Sequence, residues 1–218
     1  MSQLILGSQS PQRRMLLQQI VPPDLIAIRP PLDSEEEGFE GINNRDEILN
    51  QLSRIALTKC DDVAQQVQLE QSLGVITADT IVLAKSADAS YAVLGKPRGE
   101  SWRETVRTWF LDYYSGNTHE VITAVCILTP DGRRTTGTVS SRVTFHPVDQ
   151  QLLDWYLSTD EPLGKAGGYG IQASGSLFVQ SIEGSLTNVI GLPLEWVWET
   201  LSKRGVINAA QSASSSEK

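Results

Sequence analysis

Along the chain, short apolar runs alternate with stretches whose apolar residues recur every three to four positions, the mark of strands interleaved with helices. Leu4–Leu6 predicts a strand, a tight loop follows, and a helix is expected over Pro11–Ile20. Ser10 suits its N-cap, and Pro11 takes a first-turn position where the missing N–H costs nothing. A strand over Leu25–Arg29 leads into a proline-rich, acidic loop, and a longer helix runs from Asp46 to Gln66. Strands are expected at Gly74–Leu83 and Tyr91–Leu94 and a helix at Trp102–Tyr114. A hairpin of His119–Thr129 with Thr136–Phe145 turns around Pro130, Asp131 and Gly132. A short helix at Gln150–Ser158, a glycine-rich stretch, a strand at Leu177–Ile182 and a helix starting at Pro193 complete the series. This order is that of an α/β protein. Past about residue 206 the sequence is low in complexity, so the expected division is one domain over 1–205 and a disordered tail over 206–218.

Chemistry enters where the pattern is interrupted. The first helix opens with Arg13 and Arg14 and no acid, although helix N-termini favour negative charge by about 0.3–1 kcal/mol per group. Either both arginines face solvent, or an anion sits there, held by a guanidinium and the hydroxyls of Ser8 and Ser10. In the second helix Ile48, Leu52, Ile55, Ala56 and Val63 share a face, and Lys59 falls on it too. A lysine there either snorkels to solvent or meets a buried anion. Asp79 divides two apolar runs, where a carboxylate is costly unless paired, hydrogen-bonded or bound to a cation; the alternative is a bend stabilised by backbone N–H groups. Lys96 precedes Pro97, which favours an extended conformation. The stretch GKAGGYG at 164–170 could bring backbone close to a phosphate, but it has the spacing of neither GxxxxGK[ST] nor GxGxxG.

Composition narrows the classes. Lysine and arginine number 18 against 26 acids, a net charge of −8 over 218 residues, which argues against gripping a nucleic-acid backbone but not against a small anionic ligand. No aromatic–basic strand signature of an RNA-binding module is visible. Cys60 and Cys126 are far apart in apolar surroundings and offer neither a disulfide framework nor a CxxC site; His119 and His146 have no zinc spacing and read as structural. The opening lacks the basic flank and apolar run of a signal peptide, and no run reaches ~18 apolar residues, so a soluble cytoplasmic chain is expected, without a membrane or nucleic-acid partner.

Taken in order, the segments carry a resemblance. GSQSPQRRMLLQQI at 7–20 is similar to the amino-terminal signature of the Maf-like nucleoside triphosphate pyrophosphatases, a Ser-x-Ser-Pro loop followed by arginines and a leucine pair. ALTKC around Lys59, TADTIV around Asp79, LGKP at 94–97, SGNTHEVITAV at 115–125, EPLGKAGGYGIQ at 161–172 and NVIGLPL at 188–194 follow in the family's order. The resemblance implies a single domain with an elongated mixed sheet, flanking helices and a cleft between two lobes. It implies hydrolysis of a nucleoside triphosphate to the monophosphate and diphosphate, with Mg²⁺ or Mn²⁺, often in a homodimer. Arg13, Lys59 and Lys96 would then clamp phosphates with Ser8 and Ser10, and Asp79 matches the proton acceptor and helps to hold the metal. A second acid is expected from the loop after the first helix, where Asp33 and Glu35 are the candidates. Three positions distinguish pyrimidine-preferring members from those acting on methylated guanine nucleotides. Thr80 and Gln172 match the pyrimidine type and Gln12 matches neither. The expectation is therefore a preference for dTTP and UTP, with a 7-methyl-GTP enzyme and a non-catalytic nucleotide-binding regulator of cell division as the alternatives.

Overall fold

The computed structural model describes residues 2–32, 38–86 and 90–207. A seven-stranded sheet has the order β2-β1-β3-β5-β6-β7, with β4 on the same edge of β3 as β1. β1 (Leu4–Leu6) lies parallel to β2 (Ile26–Ile28) and to β3 (Gly74–Lys85). The remaining pairs are antiparallel: β3 with β4 (Tyr91–Leu94) and β5 (Thr118–Leu128), β5 with β6 (Arg134–Phe145), and β6 with β7 (Val179–Glu183).

Side chains of β3 alternate between two faces. Residues 75, 81 and 83 meet α2 (Arg45–Gln65), whose buried Ile48, Leu52, Ala56, Cys60 and Val63 form its apolar stripe. Residues 76 and 78 join a cluster with Leu16 and Leu17 of α1 (Pro11–Leu17) and Val197 and Leu201 of α6 (Leu194–Lys203). Residues 82 and 84 on that same face join a second, aromatic cluster of Phe110, Tyr114, Phe145, Tyr156, Tyr169 and Phe178. Thr80 falls between the two clusters. The two lobes are thus two cores on one side of a shared sheet, bridged from behind by α2. The first core also takes in Val206 and Ile207.

Several boundaries differ from expectation. The first helix ends at Leu17 rather than Ile20, because Gln19 and Ile20 already donate three residues back, to Leu16 and Leu17, and tighten the end ahead of Pro22. β2 is shortened to the three residues that β1 can pair. The helix expected over Trp102–Tyr114 is α-helical as α3 (Trp102–Thr108) and then opens into a π turn over Trp109–Tyr114. That turn places both Phe110 and Tyr114 in the aromatic core. β7 starts at Val179, after a 3₁₀ turn at Ser174–Phe178. α4 (Gln150–Ser158) lies where expected, whereas α5 (Leu186–Ile190), too short for a periodic signal, is an addition.

Candidate active site

β1 covers the edge of β3 only at Gly74–Ile76, and β4 covers the same edge only at Val82–Lys85. Residues 77–81 therefore have no strand partner on that side among the described residues. β1 runs parallel and β4 antiparallel to β3, so their carboxyl ends point at this gap from opposite directions, as strand ends do where ligands settle in α/β sheets. The loop after β1 carries Ser8, Ser10 and Arg13, and the loop after β4 carries Lys96. Between them opens a cleft of about 480 Å³ lined by Ser8, Ser10, Gln12, Arg13, Lys59, Asp79, Thr80, Lys96 and Gln172. Gly7 makes the first loop possible: a Cβ there would sit 2.6 Å from Thr77 Cγ2 and 2.9 Å from Val63 Cγ2.

Of the two arginines that open α1, Arg14 is exposed and Arg13 turns inward. Arg13 Nε donates to the Gly191 carbonyl (3.0 Å), Nη1 to Ser8 Oγ (3.3 Å) and Nη2 to Thr80 Oγ1 (3.0 Å). Thr80 Oγ1 in turn meets Thr123 Oγ1 at 3.0 Å, its register partner on β5, and Thr123, fully buried, donates to the Asn188 carbonyl at 3.4 Å. A relay of hydroxyls, the inner one fully buried, thus fixes the guanidinium. Asn188 is itself fully buried, donating to the Val121 carbonyl and to Ser141 Oγ. Ser10 caps α1 by accepting from the Arg13 N–H, and its hydroxyl donates to Gln12 Oε1 at 3.1 Å.

Lys59 does not snorkel. Its Nζ lies 2.6 Å from Asp79 Oδ1, with both side chains largely shielded. The two interruptions of the apolar pattern resolve each other, because residue 79 points to the face of β3 that α2 covers.

The opposite wall is loop. The Gly167 N–H donates to the Gly95 carbonyl (2.9 Å), tying the glycine-rich segment to the strand end that bears Lys96. Gly167 and Gly168 both have φ near +71°, a backbone suited to glycine. Tyr114 Oη donates to the Gly167 carbonyl at 3.0 Å and Tyr156 Oη to that of Gly168 at 3.2 Å. Burial raises both phenols well above their ordinary range, so they stay protonated and able to donate. Lys96 and Gln172 are exposed on the cleft surface. Lys165 lines it too, a cation that sequence spacing did not single out although it lies within the GKAGGYG run. Thr123 and Gly191 were equally unmarked, since their contacts join residues 43 and 178 positions apart. Asp33 and Glu35 lie outside the described residues, beyond Pro30 and Pro31, which line the cleft.

Fold and site together define an α/β protein whose mixed sheet splits around a cleft that gathers cations, hydroxyls and a carboxylate. The profile of the Maf-like protein family matches residues 3–204, and the chain belongs to that family. It is 38% identical over 206 residues to a dTTP/UTP pyrophosphatase of Anaeromyxobacter dehalogenans, covering 93% of this chain and 94% of that one. It is 36% identical over 194 residues to a dTTP/UTP pyrophosphatase of Pyrococcus furiosus, with 89% and 91% covered. Among solved structures, a HAM1 protein from Coxiella burnetii aligns with 69% of this chain and 76% of its own at 13% identity and a TM-score of 0.46, too distant to bear on the site.

Proposed function

We propose that this protein hydrolyses nucleoside triphosphates between the α- and β-phosphates, releasing the monophosphate and diphosphate, with a preference for dTTP and UTP. The observation that carries the proposal is the gathering of Arg13, Lys59 and Lys96 in the cleft at the gap in the sheet that also presents Asp79. Three cations lining the same cleft as a carboxylate suit a polyphosphate that must be neutralised while a water is activated beside it. The curated relatives that match nearly full length carry the same activity in their names.

In this reading Arg13 and Lys96 take the phosphate chain from the two strand ends, with Ser8 and Ser10 hydrogen-bonding beside Arg13. Lys59 leaves its contact with Asp79 as phosphate oxygens arrive to share its charge. Asp79 accepts a proton from water as the water oxygen bonds to the α-phosphorus; the bond to the bridging oxygen breaks, and diphosphate leaves with that electron pair. Among the described residues no three of His, Cys, Asp and Glu gather into a metal cage. Asp79 nevertheless suits Mg²⁺ or Mn²⁺, which accept one or two carboxylates and complete their shell with phosphate oxygens and water. Such an ion would neutralise phosphate charge, with Asp33 or Glu35 as the second carboxylate. Gln172, exposed on the loop wall, would read the base: its amide both donates and accepts, matching adjacent carbonyl and N–H groups of uracil or thymine. Thr80 contributes through Arg13, to which its hydroxyl is committed. A homodimer and a cytoplasmic location belong to the same proposal; among the described residues no helix is long and apolar enough to cross a membrane.

The test measures phosphate release from dTTP, UTP, GTP and 7-methyl-GTP, with and without added inorganic pyrophosphatase and with and without EDTA. Release that depends on the added enzyme marks α–β cleavage. In the EDTA arm, where the added pyrophosphatase is itself inactive, the monophosphate is measured directly by chromatography and its formation should vanish; dTTP and UTP should lead GTP in kcat/KM by about 10-fold, the worth of one well-made hydrogen bond. A guanine nucleotide in first place would assign the base preference to Gln12, and nucleotide binding without turnover would leave a regulator.

A further inference from the structure

Gln172 hydrogen-bonds to nothing among the described residues, so its position depends on the loop that bears it. That loop closes on itself: a Cβ on Gly175 would lie 2.8 Å from the Gly170 nitrogen and 2.9 Å from its carbonyl oxygen, so the two backbones touch. Gln172 stands at the tip and this contact is the neck. At the neck sits the carboxylate of Glu161, just past α4. Its Oε2 accepts the Ser174 N–H at 3.0 Å and its Oε1 the Gly175 N–H at 3.1 Å. These are the first donors of the 3₁₀ turn over Ser174–Phe178, which have no acceptor within the turn. Tyr156 Oη also approaches Oε1, at 3.5 Å. On the other side of the neck, the Glu161 carbonyl accepts from Lys165 Nζ. The stem of that lysine packs so close to Gly170 that a Cβ there would be 2.8 Å from Lys165 Cε.

We propose that Glu161 is a positioning residue for base selection: it clamps the neck of the 170–175 loop and so holds the Gln172 amide where it can read a pyrimidine. The proposal rests on the reading of Gln172 as the base-facing residue. Glu161 touches neither phosphate nor base in it. A two-oxygen carboxylate is required because two backbone N–H groups converge there, and charge-assisted hydrogen bonds of this kind are about twice as strong as neutral ones. Glutamine in its place offers one acceptor and turns an NH₂ group towards a backbone N–H.

The clamp is tested with Glu161→Gln, Gln172→Ala and the double variant, measuring kcat and KM for dTTP and GTP, melting temperature, and hydrogen exchange of the Ser174 and Gly175 amides by NMR. Glu161→Gln should raise KM for dTTP about 5- to 10-fold while kcat stays within about threefold and KM for GTP moves little. Discrimination would thereby fall to the level of Gln172→Ala, and the double variant should discriminate no worse than Gln172→Ala alone. Exchange at Ser174 and Gly175 should quicken in the folded protein at least tenfold. If Glu161→Gln lowers kcat equally for both nucleotides, or if the two substitutions lower discrimination additively, Glu161 is structural and the proposal is wrong. A Gln172→Ala variant that discriminates normally would instead remove the base-reading role itself, and with it any base for Glu161 to serve. Glu161→Asp keeps the charge and both oxygens but withdraws them by one methylene from the two amides, and so separates clamp from charge: it should behave as Glu161→Gln does, and wild-type KM in it alongside quickened exchange at Ser174 and Gly175 would overturn the clamp.

Discussion

On one wall of the cleft the Arg13 guanidinium is tied through Nε, Nη1 and Nη2 to Gly191, Ser8 and Thr80, and the hydroxyl of Thr80 is backed by a buried threonine of the next strand. On the facing wall Lys96 and Gln172 stand exposed on loop backbone, fastened by hydrogen bonds from Tyr114 and Tyr156 and from the Gly167 amide. The first wall is set by strand register and cannot shift without disturbing β3 and β5. The second is a set of turns hung on an aromatic core. In the proposed reading the phosphates meet Arg13 on the fixed wall and Lys96 at the edge of the loop wall, whereas the base, which varies, would be read by Gln172 from a loop that can be rebuilt while the sheet stays unchanged. The chemistry of the first wall should therefore fail outright when touched, and that of the second should drift.

The largest effect is expected at the seam between the walls. Asp79→Asn removes the carboxylate proposed as proton acceptor while keeping the shape, and kcat should fall about 10²–10⁴-fold, the usual range for a general base. The substitution also withdraws the charge facing Lys59 Nζ, which lies 2.6 Å from Asp79 Oδ1, so the melting temperature should drop by a few degrees without loss of the fold. Circular dichroism beside single-turnover kinetics separates the two. Near-normal kcat in a folded Asp79→Asn protein would make the pair purely structural.

Much of the first wall and of the seam is legible in the sequence. Lys59 and Asp79 each broke an apolar pattern, and Arg13 stood where a helix disfavours cations; a single cleft accounts for all three. The gap in the sheet was not legible. It arises because β1 stops pairing at Ile76 and β4 starts at Val82, and register between segments so far apart leaves no local trace. The π turn escaped for a related reason: its sequence keeps helical periodicity, and only packing of Phe110 and Tyr114 against Phe145 shows the extra residue. Glu161 opens the EPLGKAGGYGIQ stretch, but its contacts leave no trace in the sequence, since its partners are backbone amides, which sequence does not distinguish. The acidic stretch with Asp33 and Glu35 lies outside the described residues, and their roles rest on the resemblance alone.

A smaller effect probes how rigid the first wall is. Thr123→Val conserves volume and deletes the hydroxyl behind Thr80. The Thr80 proton must then turn to the Gly191 carbonyl, 3.4 Å away and already engaged by Arg13 Nε. Stability should fall by about 1 kcal/mol, the usual worth of a buried hydrogen bond, and kcat/KM by about 5- to 10-fold for dTTP and GTP alike. Equal loss on both nucleotides is what a wall that holds phosphate would give. A change in discrimination would mean that the walls are coupled through β5 and would dissolve the contrast drawn above.

The smallest effect belongs to the aromatic core behind the second wall, and it is read by pH. His119 is buried between Tyr114, Phe145 and Tyr169, with Nε2 2.8 Å from Tyr169 Oη and no hydrogen-bond partner at Nδ1 among the described residues. Burial pushes its pKa down to about 3 from 6.5, so in the folded protein it remains neutral across ordinary pH. Unfolding frees it to protonate once the pH falls below about 6.5. A depressed histidine therefore contributes stability that is complete above that value and drains away as pH drops towards 3. Between pH 7.5 and 6 the loss should be about 1 kcal/mol, with carboxylates contributing little in that window. Urea unfolding at the two pH values measures it directly. In His119→Phe the difference should shrink towards zero, even though that variant forfeits the hydrogen bond to Tyr169 and starts from a lower stability. The same pH step on Thr123→Val should give the full wild-type difference, because that lesion lies in the other wall. If His119→Phe kept the whole pH dependence, the proton would be taken up elsewhere, and the aromatic core would owe nothing of its acid sensitivity to His119.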